Sequence, residues 1–184
     1  MTKMTKLVLV MTLAVATALA VTGCDGDQAP TAPPPPQPTA ADAALPADLF
    51  LDKAPDGAQE LAAAKKSAKA GDEIVLRGRV GGQEEPIAPN RAILTLLDSA
   101  IKTCNQMAGD TCKTPWDACC EPGEVLRANT ATIQIVDADG RPLKTGLRGV
   151  HGIEPMKEVV IVGEVKGQEA DTLVVDATGI YVKG

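Results

Sequence analysis

The chain has 184 residues, a formal net charge of −6, five cysteines, one histidine and 2% aromatic residues. An acidic chain has little long-range attraction for nucleic acid or anionic headgroups, which argues against a polyanion-binding protein. With Phe50, Trp116 and Tyr181 as the whole aromatic set, any core must be built from Val, Ile, Leu and Ala.

Lys3 and Lys6 precede an uncharged apolar run over residues 7–21. A basic start, a short apolar stretch and small residues predict a secretory signal peptide over residues 1–23, too short for a comfortable membrane span. The run closes on Val21-Thr22-Gly23-Cys24. This tetrad resembles the lipobox of bacterial lipoproteins. The resemblance implies cleavage before Cys24, acylation of that cysteine with fatty chains such as palmitate, and attachment to a membrane on its extracytoplasmic side, periplasmic or cell-surface. Two acyl chains hold a protein stably where one holds it marginally. The competing reading of Cys24 is a chance cysteine beside an ordinary cleavage site. Loss of residues 1–23 removes Lys3 and Lys6 from 18 basic side chains, leaving 16 against 24 acidic ones and a formal net charge of −8.

Residues 24–46 contain Pro33, Pro34, Pro35, Pro36 and Pro38. Such a stretch buries no core and favours polyproline II, so it reads as a tether reaching on the order of 50–70 Å when fully extended. Residues 47–70 read as a helical lead-in. Ala58, Leu61, Ala62, Lys65 and Lys69 recur at helical spacing over residues 56–70, and Gly71 is a stop. Lys65, Lys66 and Lys69 fall in its last turn, where the helix dipole favours solvated cations.

Residues 71–184 change to period two. Strands are predicted over residues 74–80, 91–97, 130–136, 159–165 and 173–182, the fourth apolar enough to be buried on both faces. Asp139-Gly140 is a turn signal. Residues 145–156 form a short irregular or single-turn segment holding Leu147, Val150 and Ile153. The fold class is all-β. The strand count, with the runs EIVLRGRV over residues 73–80 and VVIVGEV over residues 159–165, resembles the OB-fold of secreted and periplasmic bacterial OB-fold proteins. That likeness implies a five-stranded, partly open barrel of Greek-key type, and it assigns no functional residue. A five- or six-stranded barrel or sandwich of another topology is the alternative.

Between the second and third strands lies an insertion, residues 99–128, with Cys104, Cys112, Cys119, Cys120, Met107 and Trp116. In an oxidising compartment four loop cysteines predict two disulfides. A bond between the adjacent Cys119 and Cys120 is strained, so Cys104 and Cys112 are each expected to pair with one of that doublet. The alternative is a zinc or copper(I) site, with Met107 or His151 as a further ligand; the spacing lacks paired Cys-x2-Cys knuckles, and no metal or other cofactor is expected. Trp116 either caps one end of the barrel or faces outward as a partner contact.

No catalytic constellation is present. Ser67 and Ser99 are the only serines, neither stands in a nucleophile elbow, and Asp137 and Asp139 flank a turn. Single-stranded nucleic acid, bound by OB-folds through basic grooves and stacking aromatics, is disfavoured by Glu84, Glu85, Glu169 and Asp171 in the loops. Arg77 and Arg79 read as solvated strand residues. The expected function is a non-enzymatic, lipid-anchored binding module for a protein, peptide or envelope component.

Overall fold

The computed structural model describes residues 44–169 and 171–184; the signal peptide, Cys24 and nearly all of the tether lie outside the described residues. The described chain is largely β. Its strands are β1 (Gln59–Glu60), β2 (Glu73–Val80), β3 (Ile93–Leu97), β4 (Thr130–Gln134), β5 (Glu158–Glu169) and β6 (Thr172–Val182). Two short helices, α1 (Leu61–Ala64) and α2 (Gly123–Asn129), and two 3-10 turns, Cys104–Gln106 and Val150–Gly152, complete it. No helix among the described residues is long and apolar enough to cross a membrane.

The strands form one sheet in the order β1-β2-β3-β4-β6-β5, and β2 also pairs with β5. Strands β2, β3, β4, β6 and β5 therefore pair in a closed ring. Within it β4 and β6 run parallel, and the other pairs are antiparallel. The period-two pattern sets which residues face inward. In β2 it sends Ile74, Leu76 and Val80 to the core, and Glu73 and Arg77 to solvent. Leu76, Leu94, Ile133, Ile161, Val175 and Ile180 are each 0% exposed and belong to one apolar cluster.

β5 departs from its expected burial on both faces. Val159, Ile161 and Val165 are buried, whereas Val160 and Val162 are only half-buried. The physical reason is the ring itself: it has one packed interior, and the outward valines are screened only by neighbouring side chains.

The lead-in is stitched into the edges that the ring leaves free. Leu51 N–H donates to the Ile180 carbonyl at 2.9 Å, and Ile180 N–H donates to the Leu49 carbonyl at 2.7 Å. Further on, β1 lies parallel to β2, with Gln59 opposite Leu76 and Glu60 opposite Arg77. Leu49, Leu61 and Ala64 join the core.

Helical spacing over residues 56–70 thus yields only the single turn α1, because pairing with β2 takes Gln59 and Glu60. No side chain within α1's own cap receives its first N–H groups. Instead the buried carboxylate of Asp98, at the end of β3, accepts from Ala62 N–H at 3.0 Å and from Ala100 N–H at 2.9 Å. Lys65 departs from the expected solvated cation. Its ammonium donates to the carbonyls of Asp171 at 2.6 Å, Thr130 at 3.3 Å and Arg127. Burial pushes its pKa down, with Asp171 opposing. One side chain thereby ties α1 to α2, to the start of β4 and to the β5–β6 turn.

The insertion carries four free cysteines, and the two expected disulfides are not formed. Cys104 and Cys112 both turn toward Cys119, while Cys120, the next residue in the same turn, is exposed. In this arrangement the doublet does not serve one partner each, since Cys120 lies outside the group of three sulfurs.

Candidate functional site

Two places on the molecule concentrate chemistry. The first is a groove of about 460 Å³ on the outer face where β2, β5 and β6 meet, lined by Glu60, Arg77, Val160, Tyr181, Glu158 and Lys183 among others. Its position follows from the pleat. Arg77 alternates outward from β2 and pairs with Glu60, and Glu158, in register with Arg79, pairs with Lys183. The hydrogen bond from Lys183 holds the Glu158 carboxyl below the usual range, and the same bond raises the Lys183 pKa. These pairs are well exposed, so each contributes little to stability; their use is to place both signs of charge around an apolar floor.

Two buried atoms stand out, one of them on the groove-lining Glu60. Glu60 Oε2 and Arg79 Nε are buried and lack a hydrogen-bond partner among the described residues. A buried polar atom without a partner costs about 1–3 kcal/mol. Arg79 already donates through one terminal nitrogen to the Ile101 carbonyl at 2.9 Å, which fixes the guanidinium in place. Glu60 lines the groove, whereas Arg79 is not one of its lining residues. Neither was legible as a site: Arg77 and Arg79 read as solvated strand residues, and Glu60 carried no signal, since only its pairing with Arg77 brings it there.

The second place is the cysteine insertion. Its two limbs are laced by backbone bonds, Cys104 N–H to the Asp117 carbonyl at 2.7 Å and Asn105 N–H to the Pro115 carbonyl at 3.1 Å. Thr103 and Gln106 form a capping box at the 3-10 turn, with Thr103 N–H donating to Gln106 Oε1 at 3.0 Å. Trp116 neither fills the core nor stands free. Half-buried, it donates its indole N–H to the Glu84 carbonyl at 3.0 Å, and its own carbonyl accepts from Gly82 N–H at 2.9 Å. A Cβ at Gly81 would come within 2.6 Å of that same carbonyl, so glycine is required for the loop to dock here.

Laced in this way, the insertion brings three of its four cysteines together. Cys119 Sγ lies 3.5 Å from Cys104 Sγ and 3.7 Å from Cys112 Sγ, and all three sulfurs lie within 4.8 Å of one another. Burial, then contact with Cys119, pushes the Cys104 thiol up; Asp110, then the two neighbouring thiols, push Cys112 up. Cys120 is outside the cluster. So is His151, whose ring stacks on Phe50 with centroids 4.0 Å apart. Met107 is held by its backbone N–H donating to the Cys104 carbonyl at 2.9 Å.

No protein-family model matches the chain, and no curated protein matches it. Among solved structures it is similar to one described as the structure of the hypothetical protein ygiW from E. coli, at 13% identity, covering 73% of this chain and 96% of that one, with a TM-score of 0.36. A likeness this slight carries no argument about fold or function.

Proposed function

We propose that the chain is a non-catalytic, lipid-anchored binding module of the cell envelope, built on an OB-like barrel, whose outer groove takes an extended peptide segment of a partner protein. The observation that carries the reading is the groove's lining, an apolar stretch of Val159, Val160 and Tyr181 ringed by the Arg77–Glu60 and Lys183–Glu158 pairs. An extended peptide can lay alternate side chains on such a floor while its polar groups meet the charged rim. Charges of both signs, from Glu60, Arg77, Glu158 and Lys183, suit a mixed polypeptide better than a polyanion. Tyr181 is the groove's single aromatic, too little stacking surface for single-stranded nucleic acid. The ring of five strands with one parallel pair, third against fifth, supports the Greek-key barrel that the sequence resembles.

The reading has two parts, tested separately. For the groove, a photo-crosslinking residue at Tyr181 in the full chain is expected to give a discrete adduct in envelope preparations, and Glu60→Ala to reduce its yield several-fold. The same probe at the exposed Lys144, away from the groove, is expected to give none. Equal adducts from both positions, or indifference to Glu60→Ala, would refute the groove. For the anchor, intact mass of the wild-type protein is expected to show a lipid-modified Cys24 as the first residue, and Cys24→Ser to shift the protein from the detergent to the aqueous phase. A mature chain beginning elsewhere and carrying no lipid would refute the anchor.

A further inference from the structure

We propose that Cys104, Cys112 and Cys119 form a three-thiolate site for a single Cu(I) ion, with Cys120 and His151 outside it. This goes beyond the binding-module reading and does not depend on it. Around one ion with metal–sulfur bonds of about 2.3 Å, three coplanar sulfurs stand about 4 Å apart. The contacts of 3.5 and 3.7 Å, with every sulfur within 4.8 Å of the others, approach that triangle. A disulfide would draw two sulfurs to about 2.05 Å and leave the third behind. Here Cys119 is shared between two neighbours instead.

The ligand set decides the metal. Thiolate sulfur is soft and selects Cu(I), zinc or iron–sulfur clusters over hard cations. Structural zinc takes four ligands in a tetrahedron, and the fourth cysteine of this loop stands outside the cluster. Three sulfurs complete a trigonal Cu(I) ion without another donor. The site is also held before any ion arrives. Cys104 is 1% exposed, with Thr103 at 0% beside it. The Cys104 and Asp117 backbones are bonded to each other, and Trp116 pins the far limb to the β2–β3 corner. Such supporting bonds orient ligands and set affinity. Cys119 and Cys112 are at least partly open to solvent, which gives the ion a way in. Binding involves no electron transfer: the ion enters as Cu(I), three S–H protons leave to water, and three Cu–S bonds form.

The test uses the full chain in detergent, in a Cys24→Ser background so that the thiol count is independent of the anchor. Cu(I) is titrated anaerobically against a chromogenic Cu(I) chelator. One ion per chain is expected, with a thiolate-to-copper charge-transfer band in the ultraviolet. Cys120→Ser is expected to bind as the parent does. Cys119→Ser and Cys112→Ser are expected to weaken binding by more than the roughly 10–100-fold that loss of a supporting group causes, with unchanged circular dichroism. Absence of stoichiometric binding would overturn the proposal, as would zinc holding the site against an equimolar amount of Cu(I). So would equal losses in Cys120→Ser and Cys119→Ser, or chains from copper-replete cells in which Cys119 is disulfide-bonded.

Discussion

Ile161→Asp is expected to leave the chain without a native melting transition. Ile161 is 0% exposed and sits at the centre of β5, in register with Leu76 of β2 on one side and Ile180 of β6 on the other. A carboxylate there would face the apolar cluster with no donor on the core side. Burying an unpaired polar group costs several kcal/mol and an ionised carboxylate more, which is comparable with the about 5–15 kcal/mol that holds a whole domain. The loss is not local, because β5 makes pairs on both of its edges and its collapse opens the ring on two sides. Val162→Asp, on the outward face of the same strand, is the control and should still melt cooperatively. A native transition in Ile161→Asp would show that the inward face of β5 is not the core.

Gly163→Val is expected to be nearly as damaging, for a reason of space rather than polarity. A Cβ at this position would lie 2.4 Å from the Asp176 carbonyl oxygen, 2.8 Å from Val175 Cγ1 and 3.0 Å from Ala177 Cα. Two of those obstacles are backbone, so no rotamer change relieves them. The register of β5 against β6 shifts between Val162 and Gly163, and such a bulge bends a strand. Overpacking in a tight interior costs typically about 1–3 kcal/mol and occasionally more; a clash with backbone on a strand paired at both edges falls at the upper end. Denaturant unfolding should show a lower midpoint, with an unfolding free energy reduced by about 3 kcal/mol. Gly123→Ala, where a Cβ meets only the end of the Arg127 side chain at 3.4 Å, should be far milder. Equal stability of Gly163→Val and the parent would mean that β5 and β6 do not approach this closely.

Five of the strands were legible because each alternates against a single interior, and their bounds move by only a few residues. β1 was not, since two residues carry no period and only the free edge of β2 makes them a strand. The lead-in misled for a related cause. Residues 56–70 have a true helical pattern, but Gln59 and Glu60 gain more from the sheet edge, and Lys65 turns inward to three carbonyls rather than outward to water. Helix α2 begins at Gly123, directly after Pro122, with no side-chain cap, so nothing announced it. In the insertion the residue types were informative and the partners were not. Four cysteines in a row of turns specify sulfur chemistry, whereas which three converge depends on backbone bonds between limbs far apart in sequence. The groove was the least visible part, because its charged rim comes together only through the register of β2, β5 and β6.

The pairing of Leu49 and Leu51 with Ile180 also orders events in the life of the chain. The first core residues to be synthesised are held by the last strand, nearly the whole described length away. Contacts of such separation form late and slowly. A nascent chain still lacking β6 has no partner for β4 on one edge, none for one edge of β5, and none for Leu49 and Leu51. It therefore stays open until synthesis is essentially complete. An unclosed sheet is a liability for aggregation, and here it persists until Ile180 has paired with Leu49 and Leu51.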